Sequence, residues 1–205
     1  MDPVVREYAS AAHAYDTRWS WYVEASLRET IARLDMRPAD RVLDVGCGTG
    51  ELLSRLARKF PEAGLAGLDA VPEMLAIAKG KLPAGADLRI GWANELPWPD
   101  ASFDVVVSSN MFHYVTDPVG AVREMNRVLA PGGRLLVTDW CDDYLACRIC
   151  TACIRLTSKA HFKTYGSHEF ATLLREAARL DPRIDRYKIS WLWGLMTAVA
   201  GKSVG

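Results

Sequence analysis

Asp44 and Asp69 are carboxylates attached to two successive apolar runs, and glycines crowd around the first. Asp44 lies in Arg41-Val42-Leu43-Asp44-Val45, directly before Gly46-Cys47-Gly48-Thr49-Gly50; Asp69 ends Gly64-Leu65-Ala66-Gly67-Leu68. Glycines on alternate positions let a backbone approach a ligand closely, because no Cβ intervenes and positive φ is open. The chemistry indicated is recognition of a nucleotide-sized ligand. The dinucleotide fingerprint spaces its glycines as G-x-G-x-x-G and seats a pyrophosphate at the helix start. Here the spacing is G-x-G-x-G, and Glu51 would meet a phosphate with like charge. Asp44 suits a cationic ligand head such as an ammonium. Pyrophosphate, and with it a nicotinamide-dependent oxidoreductase, is disfavoured.

Asp69 follows one helix and one strand later, so it arrives at the carboxyl end of the neighbouring strand, where a carboxylate can accept hydrogen bonds from two ribose hydroxyls. The alternative is a helix cap, since Pro72 stands at a first-turn position. His113 is the candidate catalytic base, because an unperturbed imidazole (pKa about 6.5) accepts a proton at neutral pH. A hydrogen-bonded structural histidine in a turn is the other reading. Tyr114, Tyr144 and His161 stand next in line.

These residues need strands to carry them. Arg41–Val45, Gly64–Asp69, Ala86–Ile90, Phe103–Ser108 and Arg134–Asp139 are short apolar runs, and most alternate with helical spacing. Leu52, Leu53, Leu56, Ala57 and Phe60 form one helix face before Pro61. Val71, Met74, Leu75 and Ala78 form a second, and Ala121, Val122, Met125, Val128 and Leu129 a third. In the third, Asp117 caps, Pro118 takes the first turn and Pro131-Gly132-Gly133 ends the run. Two helices precede the first strand, with a break at Asp16-Thr17-Arg18. Ser167 caps a helix with Phe170, Leu173, Leu174, Ala177 and Ala178 inward. Arg183–Trp191 and Trp193–Ala200 then pair antiparallel. Strand–helix alternation predicts a parallel sheet with right-handed crossovers and a cleft at the carboxyl strand ends, where Asp44, Asp69, Ala93 and Asn110 all fall.

Asp44-Val45-Gly46-Cys47-Gly48-Thr49-Gly50 resembles motif I of the class I S-adenosylmethionine-dependent methyltransferases. The chain is most similar to their small-molecule branch, which includes ubiquinone/menaquinone-biosynthesis C-methyltransferases. The resemblance spans roughly residues 8 to 140. It implies a Rossmann-like doubly wound α/β fold: a mostly parallel seven-stranded sheet with one antiparallel strand and helices on both faces. It implies S-adenosyl-L-methionine as cofactor, held by Asp44, Gly46, Cys47, Gly48, Gly50, Asp69, Ala70, Ala93, Asn94, Ser109 and Asn110. Ala70 would neighbour the adenine, with the backbone of Ala93 or Asn94 donating to it. An acidic residue often stands in relatives where this chain has Trp92, which cannot accept that hydrogen bond. Tyr8, Tyr15, Arg18 and Trp19 look like the family's lid; a surface helix packed on the sheet edge is the plainer alternative.

The 205 residues suffice for one core, so a single domain is expected: 1–37 as helical lid, 38–140 as cofactor-binding half, 141–205 as substrate-side helix and closing strands. With 25 basic against 25 acidic side chains, no global field favours nucleic acid or an anionic membrane. No apolar run reaches the roughly 18 to 20 residues of a membrane span, and the N-terminus lacks signal-peptide order. The expected setting is cytoplasmic, with the 5 cysteines reduced. Cys141, Cys147, Cys150 and Cys153 sit in a helical-looking stretch that runs to Lys159 and suggest a metal run, but helical steps of three splay the thiols, so no metal is expected. The expected function is in-line SN2 methyl transfer to a small-molecule acceptor, the alternative a non-enzymatic binding protein on the same scaffold.

Overall fold

The computed structural model describes residues 2–157 and 160–204. One seven-stranded sheet has the order β3-β2-β1-β4-β5-β7-β6. The strands are β1 Arg41–Val45, β2 Gly64–Asp69, β3 Asp87–Ile90, β4 Phe103–Ser109, β5 Leu129–Trp140, β6 Arg183–Lys188 and β7 Gly194–Gly201. β1 to β5 pair in parallel, and β7 runs antiparallel to both β5 and β6. The helices are α1 Pro3–Arg18, α2 Ser20–Arg33, α3 Glu51–Lys59, α4 Pro72–Lys81, α5 Pro118–Val128, α6 Leu145–Thr157 and α7 Ser167–Ala178. This is the Rossmann-like, mostly parallel doubly wound sheet with one antiparallel strand. Among the described residues no helix is long and apolar enough to cross a membrane.

Side-chain alternation on the strands divides the core into two layers. Val42, Val105 and Val107 pack with Leu53 and Leu56 of α3 and Leu27 of α2. Leu43, Val45 and Val106 face the other way, onto Val122 and Met125 of α5 and Phe170 and Leu174 of α7. Both faces of β1 and β4 are thus covered, which accounts for their unbroken apolar runs. Asp44 shares the face of Val42, so the fold buries a carboxylate (3 % exposed) beneath α2 and α3. The order of strand addition reverses between β1 and β4, and a crevice opens there at the carboxyl strand ends.

Local chemistry sets the helix ends. Asp2 and Asp117 each precede a proline, and each accepts a backbone hydrogen from the first turn of its helix. Gly50 enters α3 in the left-handed region, and Glu51 at the start with Arg58 and Lys59 at the end complement the helix dipole.

Several boundaries differ from expectation. α1 continues through Arg18 and breaks at Trp19, because Asp16 remains helical while bonded to Thr49 and Lys81. β5 begins at Leu129, directly after α5: Leu129 pairs with Phe103 and the next pair is Val105 with Arg134. Pro131-Gly132-Gly133 therefore forms a bulge inside a strand. Pro131 has no N–H for the ladder, and Gly132 takes φ 75°. Ser167 lies inside α7, not at its cap; its N–H and hydroxyl both donate to Asp143. β6 stops at Lys188, where Ser190 Oγ accepts from the N–H groups of Leu192 and Trp193 and closes the turn. α6 is helical through Thr157; its expected end at Lys159 lies outside the described residues.

Candidate functional site

The turn after β1 is built on positive φ: Gly46 at 79°, Gly48 at 52° and Gly50 at 77°. The N–H groups of Gly46 and Cys47 both donate to Leu68 O at the end of β2, at 2.8 and 2.9 Å. Asp69 completes the loop, accepting from Gly48 N at 2.8 Å through one oxygen and from Val71 N at 2.9 Å through the other. Its carboxylate therefore stands between the loop and the start of α4, whose N-cap position is held by Val71. Burial raises the Asp69 pKa, and those backbone donors oppose the rise.

A cleft of about 210 Å³ opens beside this loop. Gly46, Gly48, Asp69, Ala70, Ala93, Asn94, Ser109 and Asn110 all line it. A smaller adjoining pocket shares Tyr15, Gly46, Gly48, Ser109 and Asn110 with the cleft and adds Asp44 and Cys47. The Cys47 side chain is buried toward β2: a Cβ on Gly67 would lie 2.8 Å from its Sγ. Gly50 lines neither space. Its missing Cβ lets α3 approach α4, since a Cβ there would lie 2.9 Å from that of Ala78.

Asp44 carries the most telling electrostatics. Its Oδ1 is buried with no hydrogen-bond partner among the described residues. Burial, with the nearby Asp69 charge second, pushes its pKa up to about 8. An orphaned carboxyl beside an open pocket is costly unless a donor or cation arrives.

Asn110, at φ 57°, spends its side chain on α2: Oδ1 accepts from Tyr22 OH at 2.6 Å, and Nδ2 donates to Ser26 Oγ at 2.8 Å. Ser109 Oγ is within 3.2 Å of the same Nδ2.

α1 forms the opposite wall. Tyr8 and Tyr15 line the cleft, whereas Arg18 and Trp19 do not. Tyr8 OH lies 2.5 Å from Tyr114 OH. Asp16 accepts from Thr49 Oγ1 at 2.6 Å and from Lys81 Nζ at 2.5 Å, and Lys81 also reaches Glu51. The helix is thus fastened to the loop and to α4.

His113 does not line the cleft. It is 3 % exposed, its Nδ1 is 2.6 Å from Asp139 Oδ1, and its backbone N donates to Asp139 Oδ2 at 3.0 Å. Its ring stacks on Trp140 at 5.0 Å and lies 5.2 Å from His161. A donating Nδ1–H leaves the lone pair on Nε2, which is buried and unpartnered among the described residues. The next residue, Tyr114, reaches the cleft. Tyr144 packs instead against Gly194.

Of the lining, the residues passed over in sequence include Asp2, Pro3 and Val4 at the start of α1, Met111, Val115, Thr116 and Asp117, and Ala160. The apolar i, i+4 face Val4-Tyr8-Ala12 was a signal for the first group; Ala160 had none. The four later cysteines do not converge: Cys141 and Cys147 are buried, Cys150 is partly buried and Cys153 is exposed. Cys147 Sγ is engaged by Gly194. No cluster of three or more His, Cys, Asp or Glu fit to hold a metal occurs among the described residues.

Residues 43–137 match the family model described as a methyltransferase domain. This stretch is thus similar to a methyltransferase domain. Over 103 residues it is 43% identical to the demethylmenaquinone methyltransferase of Thermus thermophilus, covering 49% of this chain and 47% of that one. The chain spans about half the length of this and other curated relatives. Among solved structures, a Haloferax volcanii complex with the Trm112 methyltransferase activator matches with TM-score 0.85 and 21% identity, covering 96% of this chain and 98% of that one. A SAM-dependent methyltransferase of Thermotoga maritima matches with TM-score 0.77 and 20% identity, over 96% and 98%. At these identities the structural likeness speaks for the fold alone.

Proposed function

We propose that the protein is an S-adenosyl-L-methionine-dependent methyltransferase that methylates a small-molecule acceptor. The observation that carries this reading is the orphaned Asp44 carboxyl beside the Gly46-Cys47-Gly48 turn, with Asp69 across the same loop. These residues fit the cofactor: Asp44 would take the ammonium head, Asp69 the ribose hydroxyls, and Ala70 with Ala93 and Asn94 the adenine. Trp92 offers the adenine a flat apolar wall where a carboxylate acceptor is missing. When bound, S-adenosyl-L-methionine supplies an electrophilic methyl carbon open to in-line displacement.

The protein's part is chiefly positioning, which effective-molarity arguments value at up to about 7 to 11 kcal/mol. α1 covers the cleft and limits water, while the open glycine backbone admits the ligand. In this reading His113 is a positioning residue, not the proton acceptor first expected: Asp139 grips both its ring and its backbone, and the pair fixes the turn that presents Tyr114. No nucleic acid, metal or membrane span enters the scheme, and a cytoplasmic setting would keep the five free thiols reduced.

Calorimetric titration with S-adenosylmethionine, S-adenosylhomocysteine and NAD tests the proposal. The expected result is one binding event per chain for the first two and none for NAD. Absence of binding to both adenosyl ligands would overturn it. Transfer of labelled methyl to a component of a metabolite extract separates an enzyme from a binding protein.

A further inference from the structure

We propose that the methyl acceptor is an amine, seated against Tyr8, Tyr15 and Tyr114; this rests on the methyl-transfer reading above. The charged residues lining the cleft are Asp2, Asp69 and Asp117, and no Lys, Arg or His is among the described lining residues. The reading above gives Asp69 and the Asp44 of the adjoining pocket to the cofactor, which leaves Asp2 and Asp117 for the acceptor. An anionic acceptor would enter with no countercharge on the wall, whereas an ammonium would be drawn in.

The three tyrosines supply a second, independent kind of cation recognition. Tyr8 lies 5.9 Å from Tyr15 at 56° and 5.5 Å from Tyr114 at 73°, so the rings meet at angles instead of stacking flat. All three rings line the cleft, and π electrons attract ammonium groups. Burial pushes the Tyr8 hydroxyl up to about 12 and raises those of Tyr15 and Tyr114 as well. The rings therefore remain neutral phenols whose oxygens can accept hydrogen bonds from N–H groups.

The reaction balances without a protein-derived co-reactant. The carboxylates gather the ammonium form, which gives a proton to water at the mouth of the cleft. The lone pair of the uncharged amine forms the new N–C bond as the methyl C–S bond breaks, and that electron pair leaves on sulfur as a neutral thioether. The N-methylammonium product then equilibrates its remaining proton with solvent.

Three probes of nearly equal size and different charge test the assignment: 2-phenylethylamine, 2-phenylethanol and phenylacetate. Each is titrated into the full chain, with and without saturating S-adenosylhomocysteine. The amine should bind at least tenfold tighter than the alcohol, and the acid weakest of the three. Tyr8→Leu should erase the preference for amine over alcohol at least tenfold, while Tyr8→Phe keeps it. Equal binding of amine and alcohol, tighter binding of the acid, or no amine binding would each overturn the inference, and the wild-type series decides this even if a variant misfolds. Failure of S-adenosylhomocysteine to bind would instead overturn the parent reading, and the series without it still tests the charge preference.

Discussion

Thr49 in the glycine loop donates a hydrogen bond of 2.6 Å to Asp16 in α1, although the two are far apart in sequence. Lys81 at the end of α4 reaches the same carboxylate, so three elements meet at one side chain. Asp16 is about a third exposed, which screens the ion pair and limits its stabilising effect to about 0.5–1 kcal/mol. Asp16→Ala should lower stability by about that much. It should accelerate hydrogen exchange in α1 well beyond the change in α5 or α7. Equal acceleration throughout the chain would show that the contact does not hold α1 locally.

Asp44 makes stability and binding depend on pH. Its folded pKa of about 8 lies above the ordinary value of 3.8, so the folded chain holds a proton that the unfolded chain has lost between those limits. The stabilising contribution is full below about pH 4, falls as pH rises, and is gone above about pH 8. The slope is at most about 1.4 kcal/mol per pH unit. Asp69 shares the titration, since its pKa is raised too. Urea unfolding of wild type and Asp44→Asn between pH 5 and 8 should show the wild type losing stability relative to the variant as pH rises. A cationic ligand head would drive the proton off. Calorimetry at pH 7 in buffers of different ionisation enthalpy should therefore detect proton release on S-adenosylmethionine binding, and less of it in Asp44→Asn.

Asp69→Ala should weaken S-adenosylhomocysteine binding at least tenfold, the scale of one charge-assisted hydrogen bond of about 1.5–3 kcal/mol. An unchanged dissociation constant in a folded variant would remove the ribose assignment.

Gly46 and Gly48 should respond differently to substitution. A Cβ on Gly46 would press into the Met111 side chain, 2.7 Å from its Cβ, so Gly46→Val should damage folding and binding together. A Cβ on Gly48 meets nothing within 4 Å. Gly48→Ala should cost only the left-handed backbone penalty, about 1–2 kcal/mol, while its methyl narrows the ligand side. Thermal unfolding and ligand titration measured together would separate the two effects.

The cysteines should divide by burial. Iodoacetamide followed by mass spectrometry should label Cys153 first and Cys47, Cys141 and Cys147 last. Burial pushes the Cys141 thiol up to about 12 and raises Cys47 and Cys147. Elemental analysis of protein made under reducing conditions should find no stoichiometric metal; near one zinc or several irons per chain would refute that.

Sequence alone determined the alternation of strand and helix, the glycine turn and the carboxylates on either side of it. Each of these is local: apolar periodicity declares an element, and glycine or proline marks where it ends. Most boundaries followed, except at the local Ser190 turn that ends β6 and where a distant partner intervened. Asp143 took over the start of α7, and β4 drew Leu129 into β5 ahead of the Pro-Gly-Gly bulge.

Only the tertiary structure decided what each candidate side chain faces. His113 and Tyr114 are neighbours in one turn, yet Asp139 turns the first into the interior while the second lines the cleft. Gly50 looked like its two companions but serves the contact between α3 and α4. The orphaned state of Asp44 depends on α2 and α3 closing over one face of β1, and the fastening of α1 depends on Thr49 and Lys81. Burial and long-range pairing are properties of a packed assembly, and no periodicity along the chain encodes which side chain is left without a partner.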